Sequence, residues 1–276
     1  MPAQHPHYPH AEWRLIVETE PRTGAANMSL DEAIMDAVAA DRSPPTLRFY
    51  QWDPPCLSLG KRQPLSGVDL AACQRDGVDV VRRATGGLAI LHTDEVTYSV
   101  CVQPGDPRAA GAVLDAYRKL SQGLVAGLAL LGVEAVMNPV EPGSAQNASA
   151  ACFEAPSAYE ITAGTQKLIG SAQTRPAGRV LQHGSLPLFG DIARVTRYLR
   201  FPAEDERAAL AAHLRERAAT LSSLLGRPAP FAETAEALAC GFSAALNLSL
   251  VPGAPTADEL AAAAAIAQAK LAAVPA

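Results

Sequence analysis

No apolar run in the sequence reaches the roughly 18 to 20 residues of a membrane-spanning helix. The nearest approach is the Ala-rich tail after Ala257, and alanine is only weakly apolar. The opening residues, MPAQHPHYPH, hold no apolar stretch of the kind a signal peptide needs. Cysteine is scarce and unpaired. Cys56, Cys73, Cys101, Cys152 and Cys240 lie far apart, form no C-x-x-C and are odd in number. That pattern argues against a disulfide framework or a thiolate zinc site and for a reducing compartment. Nor is there a basic excess: 23 Lys and Arg stand against 28 Asp and Glu, for a net charge of -5. No footprint for nucleic acid is visible in that balance, although Arg82, Arg83, Arg175 and Arg179 are candidates for a local basic groove facing an acidic protein. The sequence also lacks a G-x-x-x-x-G-K-[ST] phosphate loop, a dinucleotide G-x-G-x-x-G, a defensible Ser–His–Asp spacing and any internal repeat. The expectation is a soluble cytoplasmic protein with no membrane or nucleic-acid partner.

What is present is ordinary globular chain. Its 276 residues, 49% hydrophobic and 18% charged, allow one large domain or one domain with a small appendage. Residues 1–11 read as a disordered tail, which explains His5, His7 and His10 better than a metal does. EWRLIVE alternates like a strand, and NMSLDEAIMDAVAA reads as a helix with Leu30, Ile34, Met35 and Val38 on one face. Asn27 or Ser29 is its expected cap, with Asp31 and Glu32 suiting the positive end of the dipole. TLRFYQW and CLSLG follow as strands split by a D-P-P turn, then a short helix from Leu70 to Arg75. VDVVRR enters A-T-G-G, and LAILH with EVTYSV form an expected strand pair. Further helices are expected over 115–132, 191–199, 203–225, 233–246 and 257–272. Strands early and helices late predict an α+β or mixed α/β fold with a helical C-terminal part. The domain is placed at 12–250 and an Ala-rich C-terminal helix at 251–276.

Chemistry concentrates between Ser149 and Leu188. Cys152, Lys167, Ser171, Gln173 and His183 crowd together there, inside runs that otherwise read as buried strands. Packing is the ordinary explanation for any free cysteine, and Cys56, Cys73, Cys101 and Cys240 keep it. Cys152 differs because a polar loop precedes it and Lys167 follows in a nearby strand. A thiol attacks as the thiolate, and an adjacent ammonium lowers its pKa. A hairpin around A-G-T would bring Lys167 toward Cys152, whereas the plain alternative is a solvated lysine on a strand edge. Gly170 and Ser171 just beyond Lys167 admit a substrate close to the backbone. Gly86 and Gly87 have two readings: a hairpin turn, which spacing favours, and a loop with open N–H groups. His92 and His183 each end an apolar strand, where a structural histidine is favoured over a general base.

Several ordered segments resemble the biotin/lipoyl protein ligase catalytic family. They are N-M-S-L-D-E-A-I, C-L-S-L-G-K-R-Q, R-R-A-T-G-G-L-A-I-L-H and K-L-I-G-S-A-Q, spanning roughly Glu12 to Leu199. The family's fold is a catalytic domain of central mixed or antiparallel sheets flanked by helices. Within it, E-V-T-Y-S-V, A-C-F-E-A-P-S-A-Y-E-I and Q-H-G-S-L-P-L are similar to the cysteine-dependent octanoyltransferases of the type found in Gram-positive bacteria. One departure is Leu88, where many members have Arg or Gly; it bears on a local contact more than on the reaction. The resemblance implies that Cys152 is the acyl-thioester nucleophile and Lys167 the group that lowers its pKa. It implies substrate contacts from Arg82, Arg83, Gly86, Gly87, His92, Gly170, Ser171, Gln173 and His183. The implied donor is octanoyl-acyl carrier protein, and the implied acceptor is a lysine of a lipoyl domain, usually the glycine-cleavage H protein. No metal, ATP or other cofactor is implied, because a thioester is already activated. Oxyanion donors would come from backbone N–H groups near Gly86, Gly87 or Gly170.

Three other readings stand beside this one. An ATP-dependent lipoate–protein ligase shares the R-R-x-x-G-G loop and the lysine but needs no cysteine, and the helical segment past Leu199 resembles a ligase accessory domain. A lipoyl-domain amidotransferase also uses a cysteine, though T-G-G-x-A-x-L-H and T-Y-S-V fit it less well. A non-catalytic carrier-binding protein of the same fold is the remaining class.

Overall fold

The computed structural model describes residues 8–139 and 159–272. Cys152, His5 and His7 therefore lie outside the described residues. An eight-stranded sheet organises the molecule. In chain order its strands and their neighbours begin with β1 (Ala11–Val17), helix α1 (Gly24–Ala39) and β2 (Thr46–Tyr50). Next come β3 (Cys56–Leu59), helix α2 (Leu70–Arg75), β4 (Asp79–Arg82) and β5 (Ile90–His92), then β6 (Glu95–Val102) and the long helix α3 (Val113–Leu130). β7 (Ala135–Pro139), β8 (Tyr159–Ala163), β9 (Gln166–Thr174) and β10 (Val180–Pro187) complete the middle of the chain. The C-terminal part holds α4 (Glu204–Arg217), α5 (Leu221–Leu225), α6 (Phe231–Leu246), β11 (Leu248–Pro252) and α7 (Ala257–Ala272).

The large sheet runs β11-β1-β2-β6-β10-β9-β8-β7, with the first three strands parallel and the rest antiparallel. Mixed sheets flanked by helices are what the family resemblance implies. One face packs on α3 and α6 through Leu47, Phe49, Tyr98, Val100, Leu124 and Phe242. The opposite face meets α1 through Ile34, Val38, Cys101 and Leu181. Beyond α1 that same face is covered by a second sheet of three strands, β4-β3-β5.

Three local expectations change. LAILH and EVTYSV are not a pair: β5 joins β3, while β6 lies between β2 and β10. Gly86–Gly87 is not a hairpin turn either, because β3 sits between β4 and β5, so the connecting loop must pass over the end of β3. The first helix is capped earlier than Asn27. Thr23, in extended conformation, accepts from the Ala26 N–H at 3.4 Å, and the helix starts at Gly24. Asn27 is buried inside it, donating to the Gln51 carbonyl at 2.9 Å and accepting from Arg48 at 2.7 Å.

At the C-terminal end, the expected helix over 203–225 is two helices. The chain leaves α4 so that the Ala219 N–H can donate to the Lys167 carbonyl at 3.0 Å, and Thr220 then caps α5. The 191–199 segment is a 3-10 turn over Ile192–Tyr198. β11 is a short, largely exposed edge strand pairing parallel with β1. A buried ion pair between Arg14 and Glu259, 2.6 Å, ties α7 to β1. Tyr8 is buried beside Trp13, within the segment 1–11 expected as a tail. Among the described residues no helix is long and apolar enough to cross a membrane.

α3 and α6 cross at van der Waals contact of their backbones. A β-carbon on Gly241 would collide with the Gly127 nitrogen and the Gly123 carbonyl, which are backbone atoms that cannot turn aside. We expect Gly241→Ala to cost about 1–3 kcal/mol, the range for overpacking a tight core, read as a lower urea midpoint with unchanged m-value. An unshifted midpoint would mean that the two helices separate freely.

Candidate active site

The site forms between the large sheet and the three-stranded sheet. Its base is a row of four residues directly opposite one another on adjacent strands: Gly170 on β9, Ser185 on β10, Thr97 on β6 and Tyr50 on β2. Opposed residues share a face, and three inter-strand spacings make the row about 14 Å long. Above it lies about 360 Å³ of empty space, walled by Met28, Trp52, Ile90 and Ala172 and bordered by His92 and His183. Gly184 on β10 keeps the strands close, since a β-carbon there would press on the Gly170 carbonyl and the Tyr98 ring.

Lys167 stands at the Gly170 end. It is only 4% exposed, so it is not a solvated edge lysine. Its Nζ donates to Glu160 Oε1 at 2.7 Å. The A-G-T hairpin forms as expected, with Gly164 at φ 58° in the turn. Its register slips, however: Ile161 pairs Ile169, whereas Thr162 pairs Lys167. Leu168 is the extra residue of a bulge, and both Leu168 and Ile169 enter the helix-side core. The bulge therefore turns Lys167 to the cavity side, where its Cε lies 3.5 Å from the place a Gly170 β-carbon would take. Sequence reasoning assigned Glu160 no role. Its signal was its place two residues from the cross-strand partner of Lys167, a diagonal neighbour within reach of a long side chain.

The loop after β4 closes the cavity from above. Arg83, 3% exposed, donates to the Ser58 carbonyl at 2.9 Å and to the Gly86 and Leu88 carbonyls, each at 2.8 Å. A trans peptide opposes its C=O and N–H, so the Gly87 N–H points away from the guanidinium. Gly60 permits the wrap, since a β-carbon there would overlap the Gly87 carbonyl. Arg82, by contrast, turns away from the cavity and donates to the Gly60 and Gln63 carbonyls.

Both histidines sit in buried hydrogen-bonded chains. The His92 Nδ1–H faces Glu95 at 2.7 Å, which leaves Nε2 to accept from the Ser58 hydroxyl at 2.7 Å. Ser58 Oγ in turn accepts from Arg83 at 3.1 Å. Trp52 stacks on His92 with centroids 4.1 Å apart and donates to Thr97. His183 lies 3.4 Å from Asp31 through Nδ1 and 2.7 Å from the Thr85 hydroxyl through Nε2. Burial pushes His183 below the ordinary histidine range despite Asp31, so it is neutral near pH 7. Burial alone would raise Asp31, but the Arg48 guanidinium at 2.7 Å, with His183 and Ser99, holds it below the usual carboxylate value. Sequence reasoning did not single out Asp31, Ser58, Thr85 or Glu95 as site residues.

Not all expected contacts meet at the cavity. The side chains of Ser171 and Gln173 alternate to the other face, in a chain in which Arg175 donates to Gln173, Gln173 to Gln182, Gln182 to Tyr98 and Tyr98 to Ser171. Among the other thiols, burial pushes Cys56 and Cys101 well above the ordinary value and Cys73 up to about 11, so none is a thiolate at neutral pH. Cys240 is exposed on α6 rather than packed.

The family model described as the lipoyl protein ligase A/B catalytic domain matches residues 23–243. The chain belongs to this family. Curated relatives include Octanoyltransferase LipM of Kyrpidia tusciae, 46% identical over 90% of this chain and 92% of that protein. Octanoyltransferase LipM of Symbiobacterium thermophilum is 44% identical, covering 87% and 89% of the two chains. Among solved structures, an archaeal lipoylation system from Thermoplasma acidophilum, a bi-partite lipoate protein ligase and its E2 lipoyl domain, contains a chain with TM-score 0.77 and 25% identity. The match covers 94% of this chain and 93% of that one.

Because folding lowers the His183 pKa, the unfolded chain takes up a proton near pH 6.5 that the folded chain refuses. Stability is full above that pH and falls as pH drops through it. We expect the urea midpoint to decrease from pH 7.5 to 5.5, and His183→Gln to remove up to about 1.4 kcal/mol of slope per pH unit, the most one proton contributes. Identical slopes in both proteins would place the titration elsewhere.

Proposed function

We propose that this protein is an octanoyltransferase of lipoate biosynthesis that works through a Cys152 thioester. The carrying observation is the Lys167 ammonium, buried and held by Glu160 at the open-backbone end of an apolar cavity. The LipM relatives point to the same activity. An octanoyl chain spans seven C–C bonds, roughly 8–9 Å at the reach per bond of an extended chain. It fits across the row from Gly170 toward Tyr50 with its carbonyl at the lysine.

In this reading Lys167 favours the Cys152 thiolate. The sulfur attacks the thioester carbonyl of octanoyl-acyl carrier protein, forming a tetrahedral oxyanion. The Gly87 N–H, turned outward by Arg83, is the leading donor to that oxyanion, with Gly170 as the other. Collapse breaks the bond to the carrier sulfur, which leaves as a thiol once protonated. The octanoyl group then rests on Cys152. A lysine amine of a lipoyl domain, with the glycine-cleavage H protein as first candidate, attacks next; an amide forms, the amine gives up a proton and the Cys152 thiolate departs. Neither ATP nor a metal takes part. Arg83, His92 and His183 act by shaping the loop and cavity, and the backbone of Gly86, Gly87 and Gly170 meets the acyl group.

The ligase reading keeps one argument, the likeness of the fold to a lipoate protein ligase. Two arms separate them: octanoyl-carrier protein alone, or octanoate with ATP, each with a lipoyl domain. Acylation in the ATP arm alone would refute the transferase. With octanoyl-carrier protein, intact mass is expected to show an octanoyl adduct that Cys152→Ser abolishes.

The role of Lys167 has its own test. Removing it alone strands a buried carboxylate, at a cost of about 3–5 kcal/mol, so the variant is Lys167→Met with Glu160→Gln. Alkylation of Cys152 should need higher pH in that protein than in wild type. Superimposable pH profiles would show that the ammonium leaves the thiol pKa untouched.

A further inference from the structure

Along the same face of β9, past Ala172, a second opening of about 1040 Å³ lies between α1, α7 and the loop after β4. Thr174 marks its place on the strand, and Arg83 borders both this opening and the acyl cavity. The charges around it do not balance. Arg179 is paired with Asp36 at 2.7 Å and Lys270 with Glu32 at 2.6 Å. Arg82 meets backbone carbonyls only, at 2.8 and 2.6 Å, with no carboxylate partner among the described residues. Lys61 is exposed, and its ammonium has no partner among the described residues. Two positive charges thus remain uncompensated in a chain whose net charge is -5. A concave local surplus of this kind collects anions.

The spacing says which anion. Gly170 and Thr174 face the same way on β9, four residues apart, which is about 13 Å along a strand. An acyl-carrier protein holds its thioester on a phosphopantetheine arm. From sulfur to phosphorus that arm has about thirteen bonds, a reach of roughly 15 Å when extended like a polypeptide backbone. A thioester carbonyl beside Gly170 therefore places the arm's phosphate level with the opening. We propose that this groove binds the phosphodiester of the donor's pantetheine arm, with Lys61 and Arg82 supplying the charge. The choice of ligand rests on the carrier-thioester donor proposed above; the anion preference rests on the groove itself.

The test compares 4′-phosphopantetheine with pantetheine by calorimetry on the full chain at low salt, where surface charges are least screened. Wild type is expected to bind the phosphorylated ligand about tenfold more tightly, the size of effect two exposed charge pairs can give. Lys61→Gln should reduce the preference and Lys61→Glu should abolish it; the exposed, unpartnered side chain makes both safe for folding. Equal affinities in wild type, or an undiminished preference in Lys61→Glu, overturn the assignment. The donor is scored separately by offering octanoyl-phosphopantetheine with a lipoyl domain. A phosphate preference without transfer upholds the groove and removes the transferase reading. Transfer without a phosphate preference does the reverse.

Discussion

The geometry of the site depends on the hydrogen bonds of one buried guanidinium. Arg83 cannot leave its donors unmade at 3% exposure, because a buried unpaired charge costs several kcal/mol. Its acceptors are the Ser58 carbonyl and hydroxyl and the Gly86 and Leu88 carbonyls. These acceptors belong to the neighbouring strand and to the loop that Arg83 itself begins. Satisfying them pulls the loop over the end of β3, turns its carbonyls inward and presents the Gly87 amide outward. A lysine in this position would be a single point charge and could not hold three carbonyls in one plane.

From Arg83 the constraint passes to the seam between the sheets. Ser58, His92, Glu95 and Ser185 form one crossing, and Thr85, His183 and Asp31 form another. Hydrogen bonds are directional, so the seam fixes both spacing and register, whereas apolar packing alone would let the sheets close on each other. The cavity is the space between two such crossings. Each of its two histidines is held in buried hydrogen bonds, His92 by Glu95 and Ser58 and His183 by Asp31 and Thr85.

Much of the fold was legible. The apolar face of NMSLDEAIMDAVAA located α1 and alternation in EWRLIVE located β1, while β6 and β10 read as strands from apolar runs that are buried along nearly their whole length. The A-G-T turn was legible from its glycine, which takes the positive φ that the turn needs. Pairing between segments was not. LAILH and EVTYSV are adjacent in sequence, yet each finds its partner in a different sheet, since β3 inserts between β4 and β5. No local signal announces an insertion made by a strand some twenty residues earlier. β11 escaped notice because its five residues, LSLVP, follow almost directly on α6 and end in a proline. Within the site, the glycines and Lys167 could be named from their types, while Asp31 and Glu95 looked like ordinary helix and strand carboxylates until their burial was known.

The bulge in β9 shows how far a one-residue change of register can reach. Under strict alternation Lys167 would share a face with Ile169 and Ser171, and its ammonium would be driven into the apolar core under α3 and α6. A slip of one residue reverses the face of everything beyond it. With Leu168 as the extra residue, Lys167 and Glu160 emerge together on the cavity side as a neutralised pair, and Leu168 adds its bulk to the core. The same strand then alternates normally past the bulge. Gly170 and Ala172 keep the cavity side of the strand small, while Ser171 and Gln173 are bonded on the far face and hold the strand at its height. The Lys167 end of the cavity is therefore set by backbone register before any side chain is chosen. A polar residue at 168 would be penalised for its burial in the core, although it lies on the face away from the cavity.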